Sequence, residues 1–154
     1  MGDPARYLAV DLGASSGRVV LGEWDGKRIE LKEIHRFPNA PVKTGDHYHT
    51  DAAGLFGEIR VGLKRYAEQY GRPPSGIGVD TWGVDYGLLN SDGDLLAPPY
   101  HYRDARTNGV MDRVFEVIPK AEVFNETGIQ FMQINTLFQL YSMVCGRDRP
   151  QTML

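Results

Sequence analysis

The sequence has a single cysteine, Cys145. It cannot form an intrachain disulfide, and this sparing use of cysteine is expected of a reducing compartment, the cytoplasm. No apolar run approaches the roughly 18 residues that a spanning helix needs, so no membrane partner is expected. The opening Met1-Gly2-Asp3-Pro4-Ala5-Arg6 lacks the apolar stretch of a secretory leader. An excess of one charge is also missing. Seventeen Lys and Arg stand against 20 Asp and Glu, a net charge of −3. A nucleic-acid-binding domain would normally be basic, so no nucleic-acid partner is expected. There is no low-complexity tract, charge run or strict repeat. What remains is ordinary globular composition, 42% hydrophobic and 24% charged. The 154 residues allow one domain at most.

Tyr7-Leu8-Ala9-Val10 is a short apolar run that reads as a buried strand ending at Asp11. A loop of small residues follows, then the β-forming Arg18-Val19-Val20-Leu21. Asp25-Gly26 is a hairpin signal before a third strand from Ile29 to Phe37. Its alternation slips between Leu31 and Ile34, which predicts a bulge near Glu33. Residues 39 to 49 read as an irregular loop. Thr50 or Asp51 can cap a helix carrying Leu55, Ile59, Leu63, Tyr66 and Tyr70, with Gly71 and Pro73-Pro74 ending it. Ser75 to Val79 is another strand, and Val84 to Leu89 continues extended to a turn at Asn90-Ser91-Asp92-Gly93. Helices are predicted over Asn108 to Ile118 and from Asn135 to a stop at Gly146.

The segment Val10-Asp11-Leu12-Gly13-Ala14-Ser15-Ser16-Gly17-Arg18 carries the most chemistry. Small residues let backbone N–H groups approach an anion. The two serines add hydroxyls, and Arg18 adds fixed positive charge. Asp11 is placed to hold Mg2+ through water, since Mg2+ keeps several waters and takes few carboxylates. The Gly-Lys-Ser/Thr ending of a P-loop is absent, and the loop feeds a strand where a dinucleotide fingerprint would open a helix. A plain Gly/Ser-rich turn with an incidental Asp is the competing reading. A phosphate loop between two antiparallel strands points to the actin-like, sugar-kinase and heat-shock-ATPase architecture.

Two further clusters are acidic and aromatic. In Gly78-Val79-Asp80-Thr81-Trp82-Gly83-Val84-Asp85, Gly83 leaves room for a ligand near the backbone. Trp82 offers a flat wall suited to a sugar ring, unless the aspartates simply close turns. In His101-Tyr102-Arg103-Asp104-Ala105-Arg106, Tyr102 can stack on an apolar sugar face, and Asp104 can instead cap the next helix. His35, His47 and His49 have no partner at a familiar metal spacing and are expected in solvent. Cys145 is expected to be a core thiol.

Together these strings resemble the FGGY carbohydrate kinase family. The stretches are residues 9–18, 34–37, 77–85 and 102–109, then Thr127-Gly128-Ile129-Gln130-Phe131 and Asn135-Thr136-Leu137. Asp-Leu-Gly-Ala-Ser-Ser-Gly-Arg and Asp-Thr-Trp-Gly-Val-Asp are similar to the strings of the members that act on L-rhamnulose. Tyr102, Asp104 and Arg106 resemble the wider family's aromatic-x-Asp-x-Arg motif. The resemblance implies an α/β, ribonuclease H-like (actin-like ATPase) fold. Its mixed sheet opens with three antiparallel strands and is flanked by helices. It implies phosphorylation of L-rhamnulose to L-rhamnulose 1-phosphate with ATP and Mg2+. By the same resemblance Asp11 serves the metal, and Gly13, Ala14, Ser15, Ser16, Gly17 and Arg18 serve the ATP phosphates. Gly83, Trp82, Asp85 and Tyr102 serve the sugar.

Two features depart from the family pattern. Thr50 stands where the family often has Trp before the Asp that begins the first helix. The His-Asp-Thr motif that carries the family's catalytic base is absent, as is its Gly-rich adenine segment. Arg149 to Leu154 read as the middle of a connection. The expectation is that residues 1–154 are a first kinase domain cut short. The base would lie downstream of Leu154, and the chain would require a second, adenine-binding domain. The alternatives are a family kinase of fuculose, xylulose or glycerol type, or a non-catalytic actin-like binding module.

Overall fold

A computed structural model describes residues 4–146. The expectations for Met1 to Asp3 and for Arg149 to Leu154 fall outside the described residues. Six strands and four helices follow in chain order: β1 Ala5–Leu12, β2 Ser16–Trp24, β3 Ile29–Pro38, β4 Val42–Thr44, β5 His47–His49, α1 Ala52–Tyr70, β6 Gly76–Thr81, α2 Val110–Val117, α3 Lys120–Thr127 and α4 Thr136–Cys145. They form two compact units, residues 4–41 with 51–83 and residues 42–50 with 84–146.

The first unit is a mixed sheet in the order β3-β2-β1-β6. The three opening strands are antiparallel, and β6 runs parallel to β1. Asp25 closes the β2–β3 turn by accepting the N–H groups of Lys27 and Arg28. Val19 lies opposite His35 and Val20 opposite Glu33, so Ile34 is the extra residue of the expected bulge. Leu8, Val10, Val19 and Leu21 alternate onto one face, where Tyr66 of α1 joins them in the core. Each such burial is worth about 1.5–3 kcal/mol by transfer.

Of the two cap candidates it is Asp51 that caps α1, accepting from the Gly54 N–H, and Gly71 ends the helix at φ 65°. That left-handed conformation suits glycine. Midway along α1, Gly62 touches the sheet directly. A Cβ there would lie 2.4 Å from Val19 Cγ2, so the helix packs this closely only because the side chain is missing.

Alternation places Asp11, Arg18, Arg36 and Asp80 on the opposite face. The β1–β6 register sets Asp11 beside Asp80, and the β1–β2 register sets Asp11 beside Arg18.

In the second unit, residues expected to be an irregular loop contain the β4–β5 hairpin, turned through Gly45 at φ 61°. Val84 to Leu89 forms no ladder, only an isolated bridge from Leu89 to Leu95 around the expected turn. The two predicted helices are α2 and α4, and α3 between them was not expected. Val110, Val114 and Phe138 make the core, with Phe115 and Phe131 packed edge-on. Gln139 is fully buried, and its amide donates to the Val84 and Ile134 carbonyls. Cys145 is exposed, contrary to the expected core thiol, because the last turn of α4 leaves the packed surface. Among the described residues no helix is long and apolar enough to cross a membrane.

Candidate functional site

The loop between β1 and β2 is a tight hairpin of small residues. Gly13 N–H donates to the Ser16 carbonyl at 3.0 Å. A Cβ at Gly13 would stand 3.0 Å from that same carbonyl oxygen, so the turn needs glycine to close. Ala14 and Ser15 are exposed at its tip. Gly17 is buried, with its Cα against the Phe37 ring. Behind the loop stands Asn39, which sequence reasoning missed. It donates through Nδ2 to the Gly13 carbonyl at 2.8 Å and through its backbone N–H to the Ser15 carbonyl at 3.0 Å.

Asp11 and Arg18 end β1 and begin β2 on the open face. Arg18 donates to one carboxylate oxygen of Asp11 at 2.7 Å through Nε and lies 2.6 Å away through Nη2. Arg18 is therefore tied to Asp11 through two of its nitrogens. Arg36 and Glu33 form a second pair beside them. The neighbouring Arg36 holds the Glu33 carboxyl below the usual range. Among the described residues no three His, Cys, Asp or Glu converge as a cage for a metal. The donor set fits Mg2+ held through water: among the described residues the Asp11 carboxylate is engaged through Oδ2 alone, and its side chain is partly exposed. The loop fits phosphate in the same sense, with short side chains and an exposed tip.

At the end of β6, Thr81 and Gly83 are exposed and Trp82 is half-buried. Nothing lies within 4 Å of a Cβ built on Gly83, so the space beside this backbone is open. The Trp82 Nε1 is buried without a partner among the described residues.

In the second unit, Asp85 accepts the Tyr102 backbone N–H on Oδ1 at 2.8 Å and the Thr50 hydroxyl on Oδ2 at 2.5 Å. Both oxygens thus already hold the polypeptide. Thr50 is buried, a role no motif announced. The Tyr102 ring stacks on His101 at 4.4 Å, with the Arg103 guanidinium 5.2 Å from its centre. Asp104 is 1% exposed and accepts from the backbone of Tyr48 and of Arg106 and from His47 Nδ1. Burial alone would raise its pKa. The three donors outweigh it and hold the carboxyl below its usual range. Arg106 donates to Gln139 and lies over the Tyr100 ring. Asp104 and Arg106 are thus engaged with the rest of the unit, while the Tyr102 ring is half-buried on His101.

The expectation of solvated histidines is overturned at His35. It is buried, paired through Nε2 with Glu58 at 2.6 Å and through Nδ1 with Arg65 at 2.9 Å. It alternates inward with Phe37 along β3, and the polar residues of α1 supply its partners. His47 and His49 are half-buried, and both pack on Tyr100.

No protein-family model matches the chain. Curated relatives do. It is 47% identical over 142 residues to a rhamnulokinase of Bacteroides thetaiotaomicron, covering 92% of this chain and 29% of that protein. It is 47% identical to the rhamnulokinase of Halalkalibacterium halodurans and 48% identical to that of Mannheimia succiniciproducens, each over 88% of the chain and 29% and 28% of those proteins. Among solved structures, a gluconate kinase and a xylulose kinase of Lactobacillus acidophilus each superpose with a TM-score of 0.76. Both cover 92% of this chain and 28% of theirs, at 12% and 13% identity. Plasmodium falciparum glycerol kinase with ADP superposes at 0.66, covering 96% of this chain and 30% of its own, at 13% identity. These superpositions show the fold, that of the actin-like ATPases expected from the sequence. The chain spans less than a third of the length of the rhamnulokinases it matches, and over that span it is similar to them.

Proposed function

We propose that the full-length protein is an ATP-dependent kinase that converts L-rhamnulose to L-rhamnulose 1-phosphate in the cytoplasm. The observation that carries this reading is the 47% identity to a rhamnulokinase across 92% of the chain. In this reading residues 1–154 are the first part of a kinase domain. Gly13, Ala14, Ser15, Ser16 and Gly17 receive the ATP phosphates on their backbone. Arg18 stays with Asp11 and sets its orientation. Asp11 meets a water of Mg2+, which when bound neutralises charge on the transferred phosphoryl group. In the first unit Gly83 admits the sugar to the backbone beside Trp82; in the second Tyr102 is a sugar contact, held in place by Asp85.

Phosphoryl transfer depends mainly on positioning and on charge neutralisation. The proton of the sugar hydroxyl still needs an acceptor. In the family pattern that acceptor belongs to the His-Asp-Thr motif, which this chain does not contain. The 154-residue chain alone is therefore expected to release no ADP in the presence of L-rhamnulose. The test is ADP release by the full-length protein on L-rhamnulose, L-fuculose, D-xylulose and glycerol. L-rhamnulose should give the highest kcat/KM. An equal or higher value on another of these substrates overturns the assignment.

A further inference from the structure

We propose that Asn39 is the positioning residue of the phosphate loop, aiming peptide N–H groups of the loop at the nucleotide phosphates. This inference rests on the kinase reading above. Asn39 lies one residue past the end of β3 and is half-buried. It reaches the loop twice. Nδ2 donates to the Gly13 carbonyl at 2.8 Å, and the backbone N–H donates to the Ser15 carbonyl at 3.0 Å. The loop's own bond, from Gly13 N–H to the Ser16 carbonyl, closes the turn between these two points.

The described peptide bonds are all trans. In a planar trans peptide the C=O of one residue and the N–H of the next point in opposite directions. Holding the Gly13 carbonyl on Asn39 therefore turns the Ala14 N–H away from Asn39. Holding the Ser15 carbonyl does the same for the Ser16 N–H. Two donors are thus oriented before any anion arrives, which removes the cost of orienting them on binding. Gly13 has the freest backbone in the loop. Without the amide of Asn39 its carbonyl is the one able to swing outward, and a carbonyl oxygen facing a phosphate repels it.

Two substitutions separate the amide from the rest of the residue. Asn39→Leu keeps similar bulk and the backbone N–H but removes the side-chain donor. Asn39→Asp keeps the shape and places a carboxylate against the Gly13 carbonyl. The readout is the steady-state KM of the full-length protein for MgATP and for L-rhamnulose, with thermal unfolding to show that each variant is folded. Loss of a bond that orients donors for a charged group should raise the KM for MgATP about tenfold in Asn39→Leu, and more in Asn39→Asp. The KM for L-rhamnulose should stay within about twofold of wild type. An unchanged KM for MgATP in both variants overturns the inference, and so does an equal rise for both substrates, which marks a merely structural residue. Should Asn39→Leu not fold, the isosteric Asn39→Asp decides by the same split. A wild-type protein that consumes no ATP with any of the four sugars or polyols named above removes the kinase reading instead, and this inference with it.

Discussion

Arg18 holds Asp11 by a single carboxylate oxygen, Oδ2, with both Nε and Nη2 directed at it. The pair is the last-but-one rung of the β1–β2 ladder, so its geometry is set by the hairpin. One oxygen is fixed, the carboxylate plane is oriented, and the other oxygen remains available to a metal-bound water. The pair is half-exposed, and an exposed ion pair adds little to stability. Asp11→Asn should therefore leave the melting temperature nearly unchanged while lowering, on the proposed function, the kcat of the full-length protein by about a hundredfold, the size of effect that follows loss of one electrostatic contact in a transition state. Arg18→Ala should cost less, about tenfold, because the carboxylate remains and only its orientation is lost. Turnover of Asp11→Asn at the wild-type rate, across a Mg2+ titration, would remove Asp11 from the site.

Gly17 is fixed by its partner across the β2–β3 ladder, Phe37. A Cβ there would lie 2.3 and 2.4 Å from two ring carbons of Phe37. Phe37 is 3% exposed and its ring cannot swing clear. Gly17→Ala should thus destabilise by about 1–3 kcal/mol, as overpacking does in cores. Adding Phe37→Leu should recover part of the loss, because the clash is with the ring. Thermal unfolding of the two single variants and the double variant checks the coupling, and strictly additive losses would show that the clash is not the cause.

Much of the first unit was legible because local signals and tertiary packing agree there. Asp25-Gly26 marks a turn that the Asp25 side chain closes, the slipped alternation marks the bulge at Ile34, and Asp51 and Gly71 bracket α1. The β4–β5 hairpin was not legible. Its strands are three residues long, and His47-Tyr48-His49 offers no apolar alternation. Helix α3 was missed because Lys120, Glu122, Asn125 and Glu126 break its apolar stripe, leaving Val123 as its buried residue. His35 could have been found, since it shares the inward face of β3 with Phe37. Its partners Glu58 and Arg65 could not, because nothing in spacing says which side of α1 meets which strand. Asn39 is the hardest case. Its bond spans 26 residues of chain, and asparagine after a strand ordinarily signals only a turn.

Asp85 and Thr50 are expected to act together on the fold. The Asp85 carboxylate is accepting from the Thr50 hydroxyl and from the Tyr102 backbone. Asp85→Ala leaves both donors without a partner in a half-buried setting, a loss of about 1–3 kcal/mol. Thr50→Val removes one donor and keeps the shape, so it should cost less. In the double variant the Thr50 donor no longer needs the carboxylate, and the combined loss should fall short of the sum. A double-mutant cycle by thermal unfolding reads this directly, and an additive result would mean that the two residues do not interact.

His101 gives the fold a dependence on pH near neutrality. It is 7% exposed, and its Nδ1 accepts the Arg103 backbone N–H, so the ring sits in the fold as the neutral form. Burial lowers its pKa, partly offset by the charge of Asp85. An unfolded histidine titrates near about 6.5. Below that pH the unfolded chain takes up a proton that the fold excludes, so protonation favours unfolding. The contribution of His101 is therefore complete above about pH 6.5, erodes as the pH falls from there, and levels off below the lowered folded value. Asp104 works with the same sign in a different window. Its pKa is lowered from a carboxylate's, so its contribution is lost only below about pH 4. The two are separable with His101→Asn, which retains an acceptor for Arg103 and does not titrate. Melting temperatures measured in steps from about pH 7.5 to 5 should fall more steeply in wild type than in the variant just below pH 6.5, and run parallel above it. Parallel curves over the whole range would show that His101 enters the fold without excluding a proton.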